Sequence, residues 1–572
     1  MQRPFVWDST GVRDLLDSLY NGYPVGYLIT WQSVGVRLKD GSHSAFQQIL
    51  IDGQQRMTAL RAALLGEKVV NKRYARVPIK IAFNPLTEEF ATQTPVIVRN
   101  PQWIADVSQL FTTPNVYRQF AAYVAANPDA DPDAATAALE RLLAIKTAQV
   151  GVITLDADLD IETVTDIFIR VNKEGVKLSS ADFAMSKIAS YGELGSKLRK
   201  LIDYFCNLAV APHVYQDISE NDAAFAASGY LEKIAWLRHD ASDIYDPEYT
   251  DVIRVAGLAE FGRGRVSALV SLLSGRDFDT RTFSDELAEE SFGRLERVLL
   301  EIVNEFNYTQ FVQTILGAGF VEPKLIRSKN ALNFAYALFL SLRRQQSAES
   351  LSFGRIQKVV QRWFAMSLLT ARYTGSFETA FEADMRRIGE VGVVAALEAI
   401  EQSELSDAFW DFGLVDRLET PSWSSPILGV YLAAQVRLQS RGFLSKTVTV
   451  SQMLEGQGDY HHLVPKQYLI DSGVTDRADY NQIANIALTE TPINIAIRDR
   501  APAAYLAMVS EQIGTKVPAL GAITEMRDLS QNFTENAVPM SLFTTTAETY
   551  PDFLRERRAE MSALLRRYYE SL

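Results

Sequence analysis

Apolar residues recur at Val12, Leu15, Leu16 and Leu19, the spacing of one helical face, which predicts a helix over about residues 10–20 with Asp8 or Ser9 as cap and Gly22 as stop. A strand is expected over 25–31. A second apolar run at 49–51 ends in Asp52-Gly53, after which Met57, Leu60 and Leu64 take helical spacing as far as Gly66. That pattern reads as strand, tight turn, helix. Further strands are expected near 78–83, 96–99 and 150–155, and the Asp-, Pro- and Ala-rich stretch 127–135 reads as a surface loop.

From about Ser180 to Ser440 helical periodicity dominates, as at Val359, Trp363, Phe364, Met366 and Leu369, with loops near Pro247 and at Thr374-Gly375. Beyond Gly442 the texture changes to short β-type segments at 447–450 and 483–488, flanking a histidine-bearing loop, before helices resume near Pro502. The expected organisation is multidomain α+β: an α/β domain over 1–190, a helical middle over 191–440, and a small domain with helical tail over 441–572. No internal repeat or low-complexity tract interrupts it.

Composition narrows the class. A chain of 572 residues with 47% hydrophobic and 22% charged positions is a folded protein of several compact units. No apolar run approaches the roughly 20 residues of a membrane span, and the first residues lack signal-peptide character, so a cytoplasmic protein is expected. The single cysteine, Cys206, excludes an intrachain disulfide and a cysteine-rich zinc site. A net charge of −13 argues against loose nucleic-acid coating and leaves room for local basic patches. Arg555, Arg557, Arg558, Arg566 and Arg567 are one candidate patch, although the interleaved Leu554, Met561, Leu565 and Tyr568 have the spacing of an amphipathic helix.

Two constellations carry chemistry. In the first, Asp52-Gly53-Gln54-Gln55-Arg56 stands between strand and helix, where free backbone N–H groups and the helix dipole suit a phosphate. Asp52 can hold a cation or orient water, Gln54 and Gln55 can bond base, ribose or phosphate, and Arg56 can fork onto phosphate oxygens. A solvated loop with an Asp cap is the plainer alternative. The pattern is not that of a phosphate loop ending in Gly-Lys-Ser/Thr.

Gln2-Arg3-Pro4-Phe5-Val6-Trp7, then Asp52 through Met57-Thr58, then Phe168-Ile169-Arg170-Val171-Asn172 through Leu178 and Asp182 resemble the N-terminal half of GmrSD-type, modification-dependent restriction endonucleases. The chain is similar also to the phosphorothioate-sensing SspE proteins. The resemblance implies a ParB/sulfiredoxin-like domain that binds and hydrolyses a nucleotide, GTP or ATP. It implies a pocket formed by Arg3, Trp7, Asp52, Gly53, Gln54, Gln55, Arg56, Thr58, Arg170 and Asn172. Family members usually carry a strand before the Gln-Arg-Pro stretch, so the pocket here lacks an edge or the natural start lies upstream of Met1.

The second constellation is His461-His462-Leu463-Val464-Pro465 with Asn485 and Asn494, in a chain of only five histidines. A metal-dependent phosphodiesterase site needs a group holding a hard cation, a base of near-neutral pKa and polar side chains that orient both, which His and Asn supply. Neighbours in an extended segment face opposite ways, so the two histidines need not share a task. An ordinary polar loop with paired histidines is the alternative. Asp459 through Lys466, then Asn481-Gln482-Ile483-Ala484-Asn485, Pro492-Ile493-Asn494 and Asp499-Arg500-Ala501-Pro502 resemble the HNH nuclease half of the same family. The resemblance implies a ββα-metal fold in which His462 is the general base, His461 and Asn494 hold Mg2+ or Mn2+, and Asn485 orients the base. Histidine at 461 replaces the commoner aspartate and widens the choice of metal.

Ser328-Lys329-Asn330 and Arg372-Tyr373-Thr374-Gly375-Ser376 with Glu378 also have family character; Lys329 and Arg372 suit either DNA phosphates or helix ends and ion pairs. Trp7 and Tyr23 can stack on a flipped base, though core packing is their plainer use. The expected function is nucleotide-dependent cutting or nicking of modified or phage DNA, with DNA and nucleotide as partners, a homo-oligomer left open and no membrane. The rivals are a non-cleaving, nucleotide-switched DNA-binding regulator and a nuclease needing no nucleotide.

Overall fold

The first helix, α1 (Ser9–Tyr20), buries Val12, Leu15, Leu16 and Leu19, and the Asp8 carboxylate accepts the Gly11 N–H at 2.8 Å as its cap. The computed structural model describes residues 5, 7–33, 47–71, 76–156, 159, 180–240, 242–278, 280, 282–349 and 351–572. The chain divides into two compact units, residues 1–240 with 270–292 and residues 241–269 with 293–572.

In the first unit β1 (Leu28–Ser33) pairs antiparallel with β2 (Gln47–Asp52). The ladder begins at Leu28 rather than at 25, because Pro24 and Gly26, at φ +81°, break an extended run. β2 passes through Gly53 into α2 (Gln54–Leu65). Gly53 has φ +94°, and a Cβ there would stand 2.3 Å from the Leu28 side chain, so only glycine makes this turn. α2 buries the small Ala59, Ala62 and Ala63 in the same core as α1. The pairs β3 (Val69–Val70) with β4 (Arg76–Val77) and β5 (Ile81–Asn84) with β6 (Glu89–Thr92) follow, and β7 (Val152–Leu155) closes a three-stranded sheet by lying parallel to β1. Phe83 and Phe90 meet Tyr20 of α1 at 5.2 and 5.6 Å between ring centroids.

Two expectations fail here for a shared reason. Residues 95–99 form a helix, not a strand: Thr94 caps it by accepting the Ile97 N–H, and Pro95 occupies its first position, where a missing N–H costs nothing. The stretch 127–135 is loop only in part, since Asp131 caps a helix over Pro132–Leu143 in the same way. In both places a capping side chain followed by Pro starts a helix.

In the second unit the helix Lys329–Glu349 is buried on every side from Ala331 to Leu340, packed between Tyr249–Phe261 and Phe353–Leu369. Val359, Trp363, Phe364, Met366 and Leu369 are all buried as their spacing predicts. Arg372 forks onto Asp384 at 2.8 and 2.5 Å and reaches Glu404, while the Tyr373 hydroxyl donates to Asp384 and accepts from Trp363 Nε1. Arg372 is thus an internal ion-pair residue rather than a DNA contact. Lys329 lies within 3.8 Å of Glu248 and 3.6 Å of Asp251.

The helix Tyr550–Ser571 packs on Pro426–Arg437 and buries Leu554, Met561, Leu565 and Tyr568. Arg555 and Arg566 pair with Asp552 and Asp407 on the solvent face of an amphipathic helix, while the largely buried Arg558 pairs with Glu419. Arg557 is fully buried.

β8 (Gly458–His462) pairs antiparallel with β9 (Ile486–Glu490), His461 opposite Ala487 and His462 opposite Ile486, and a helix over Thr491–Ile497 follows directly. The histidines therefore lie on a strand, not in a loop. The expected strand at 447–450 is instead a capped turn in which Thr449 and Gln452 bond each other's backbone reciprocally. Among the described residues no helix is long and apolar enough to cross a membrane.

Candidate functional site

Strand alternation puts His461 and Asp459 on one face of β8 and His462 and Tyr460 on the other. His461 is 4% exposed, and its Nδ1 stands 2.9 Å from Asn494 Oδ1 on the following helix. Asn494 Nδ2 donates to Asp459 Oδ2 at 3.3 Å, which turns the amide oxygen toward the imidazole and places the proton on His461 Nδ1. Nε2 of the same ring is buried and has no hydrogen-bond partner among the described residues. The ring stacks on Phe443 and meets the edge of Tyr505. Burial with little to stabilise a cation pushes its pKa down to about 4, so the imidazole is neutral at neutral pH.

His462 Nε2 lies 3.3 Å from Asn481 Oδ1, and Asn481 Nδ2 donates to the Pro421 carbonyl at 3.4 Å. The amide orientation assigns the proton of His462 to Nε2 and leaves a lone pair on Nδ1. Burial first, then the nearby Lys466 charge, lower the pKa of His462, against the hydrogen bond it donates to Asn481. One strand thus presents two neutral imidazoles to two environments.

No group of three or more His, Cys, Asp and Glu among the described residues is placed to hold a metal. The donors that do converge are an imidazole, an amide oxygen and a carboxylate, from His461, Asn494 and Asp459. The 2.9 Å between His461 Nδ1 and Asn494 Oδ1 is an N–H···O hydrogen bond, so a cation taking both atoms must displace the Nδ1 proton. This donor set fits a hard cation better than a thiolate-seeking one.

Asn485 is fully buried and fully engaged elsewhere. Its Oδ1 accepts the Val464 N–H at 2.9 Å, and its Nδ2 donates to the Val464 and Tyr480 carbonyls. It clamps the turn after His462; the side chain that meets the His462 ring is Asn481. Arg557 of the last helix donates to the carbonyls of Ala484 and Ile486, both at 2.8 Å, on either side of Asn485. Tyr505 donates to the Leu463 carbonyl at 2.8 Å. Asp459, given no role from sequence, was legible through the two-residue strand period; Asn481, Trp423 and Arg557 carry no local signal, because tertiary pairing alone brings them here.

In the first unit Arg56 Nη2 bonds Asp52 Oδ2 and Nη1 bonds the Val25 carbonyl, both at 2.8 Å. Gln54 Nε2 donates to the Leu50 carbonyl and Thr58 Oγ1 to that of Gln54. The strand-to-helix turn therefore gathers Asp52, Gly53, Gln54, Gln55, Arg56 and Thr58 as expected, with several of their polar groups tied to the local framework. Trp7 packs against the core, while Tyr23 is 62% exposed. Arg3, Arg170 and Asn172 lie outside the described residues.

No curated protein matches the chain. Residues 1–189 match the family model for the GmrSD restriction endonuclease, N-terminal domain, so this part of the chain resembles that domain and supports a restriction-type nuclease with DNA as its partner.

Proposed function

We propose that this chain is a nucleotide-dependent, HNH-type endonuclease or nickase acting on modified or phage DNA in the cytoplasm, with phosphodiester hydrolysis at the β8–β9 hairpin and nucleotide hydrolysis at a ParB-like N-terminal domain. The observation that carries the hydrolytic half is the pairing of His461 with Asn494 on one face of β8 and a neutral His462 on the other. His462 Nδ1 takes the proton of the attacking water, and Asn481 holds the ring in that tautomer. His461 and Asn494 would hold a divalent cation once the Nδ1 proton is displaced, and that ion would supply Lewis-acid stabilisation of the phosphate charge. Asn485, Arg557 and Tyr505 fix the backbone from which both histidines project.

The nucleotide half rests on the resemblance of residues 1–189 to the GmrSD N-terminal domain. A second reading, a nuclease needing no nucleotide, is favoured by the Asp52–Arg56 pair, which occupies both partners. The deciding experiment is cleavage of plain and modified phage DNA with Mg2+ or Mn2+, with and without GTP or ATP, for wild type and His462→Ala. We expect wild type to cut with nucleotide, and His462→Ala to hydrolyse nucleotide without cutting. Cutting that ignores nucleotide establishes the second reading, and a wild type that cuts nothing overturns the nuclease.

A further inference from the structure

Beside His462 lies a surface with no part in water activation. The Trp423 ring stands 5.4 Å from Tyr460 and 5.9 Å from His462, centroid to centroid. The loop that carries it is sewn to the hairpin's connection: Trp423 Nε1 donates to the Asn481 carbonyl at 3.1 Å, Asn481 Nδ2 to the Pro421 carbonyl, and the Ile483 N–H to the Thr420 carbonyl at 3.0 Å. The indole is thus held by its polar edge, and the residue is only half-buried, unlike the fully buried Trp363 of the helical core. Tyr460, next to it, is half-buried as well.

Two exposed cations lie nearby, one acting on Tyr460 and the other on His462. Lys466, at the start of the helix Lys466–Asp471, reaches over the Tyr480 ring at 5.2 Å, and Arg327 lies near enough to Tyr460 to act on its ionisation. Neither forms an ion pair with a described carboxylate. In a chain of net charge −13, two uncommitted cations around an aromatic pair beside a candidate phosphodiesterase base make a local exception to the overall sign. Aromatic faces take nucleobases by stacking while neighbouring cations take the backbone phosphates.

We propose that Trp423, backed by Tyr460, is a stacking platform for one unstacked base of the DNA strand being cut, in the nucleotide adjoining the scissile phosphate, with Arg327 and Lys466 holding the flanking phosphates. This inference rests on the hydrolytic reading of His462. The platform sits about one nucleotide's reach from the His462 ring, so a stacked base fixes its own phosphate before the attacking water. A base must leave its neighbours to lie on the indole, so gapped, mismatched or single-stranded DNA binds more tightly than an intact duplex.

The test measures binding of a labelled oligothymidylate and of an intact duplex by fluorescence anisotropy, using the full chain carrying His462→Ala so that the DNA stays whole. Trp423→Ala is expected to weaken oligothymidylate binding by roughly ten-fold or more, and Trp423→Phe to retain most of it. The exposed Arg327→Ala is expected to reduce the salt dependence of binding by about one phosphate contact. Unchanged binding by Trp423→Ala, or a parent that prefers intact duplex, overturns the platform. A chain with native His462 that cuts no DNA overturns the hydrolytic reading instead, and the binding comparison still decides the platform.

Discussion

The His461 ring carries one proton, on Nδ1, shared with Asn494, and a buried Nε2 that meets no partner among the described residues. Its folded pKa of about 4 lies below the ordinary 6.5. Above pH 6.5 neither folded nor unfolded chain protonates this ring and its stability contribution is complete. As pH falls from 6.5 toward 4 the unfolded chain gains a proton that the folded chain refuses, and roughly 3 kcal/mol is lost. We expect urea unfolding in chelator to show this loss for wild type and a flatter profile for His461→Asn. Adding Mn2+ or Mg2+ should raise the melting temperature of wild type and leave Asn494→Ala unmoved, since only a site that binds the ion gains stability from it. Sequence singled out His461, His462 and Asn494 by residue type and order, and the structure brings His461 to Asn494. Sequence left Asn485 misread, because an asparagine spent on the Val464 backbone looks in sequence like one free to act.

At the level of elements, α1 and the long helices of the second unit follow from hydrophobic spacing; α2 lies where expected, but it buries Ala59, Ala62 and Ala63 and leaves Met57, read as part of its apolar face, exposed. Residues 95–99 and 132–143 did not follow from spacing, because Thr94-Pro95 and Asp131-Pro132 combine a capping side chain with a residue usually taken as a breaker. The β8–β9 hairpin was displaced in the reading because polar Asp459, His461 and His462 hide a strand. This hairpin depends on the helix Tyr550–Ser571 through the Arg557 fork onto Ala484 and Ile486. Arg557→Lys keeps the charge and loses the fork. We expect it to cost on the order of 2 kcal/mol, since at least one buried carbonyl loses its donor. Urea unfolding of the second unit checks the loss, and cleavage should fall with it under conditions where the variant remains folded.

Over the whole molecule, the resemblance to a restriction-enzyme domain ends at residue 189, whereas the histidine site lies beyond residue 457. On our reading nucleotide turnover and cutting are separable. Arg56→Ala should abolish the nucleotide requirement or the nucleotide turnover while leaving oligonucleotide binding intact, as hydrolysis and anisotropy measured side by side will show. An Arg56→Ala variant indistinguishable from wild type in both hydrolysis and cutting would leave Asp52–Arg56 as a brace for the turn. The sequence changes texture near 440, whereas the second compact unit runs unbroken over 293–572. The loop Thr420–Trp423, read as part of the helical middle, in fact lines the histidine site, a placement that depends on hydrogen bonds to residues far along the chain.

The grip of Arg557 on the two carbonyls beside Asn485 has a consequence for synthesis. On a ribosome His462 emerges long before Arg557, so the hairpin leaves the exit tunnel without the donor that braces it. A growing chain, or one cut short by a premature stop, carries both histidines on a hairpin that lacks the Arg557 fork. On the hydrolytic reading proposed above, cutting would begin only after the final helix has docked.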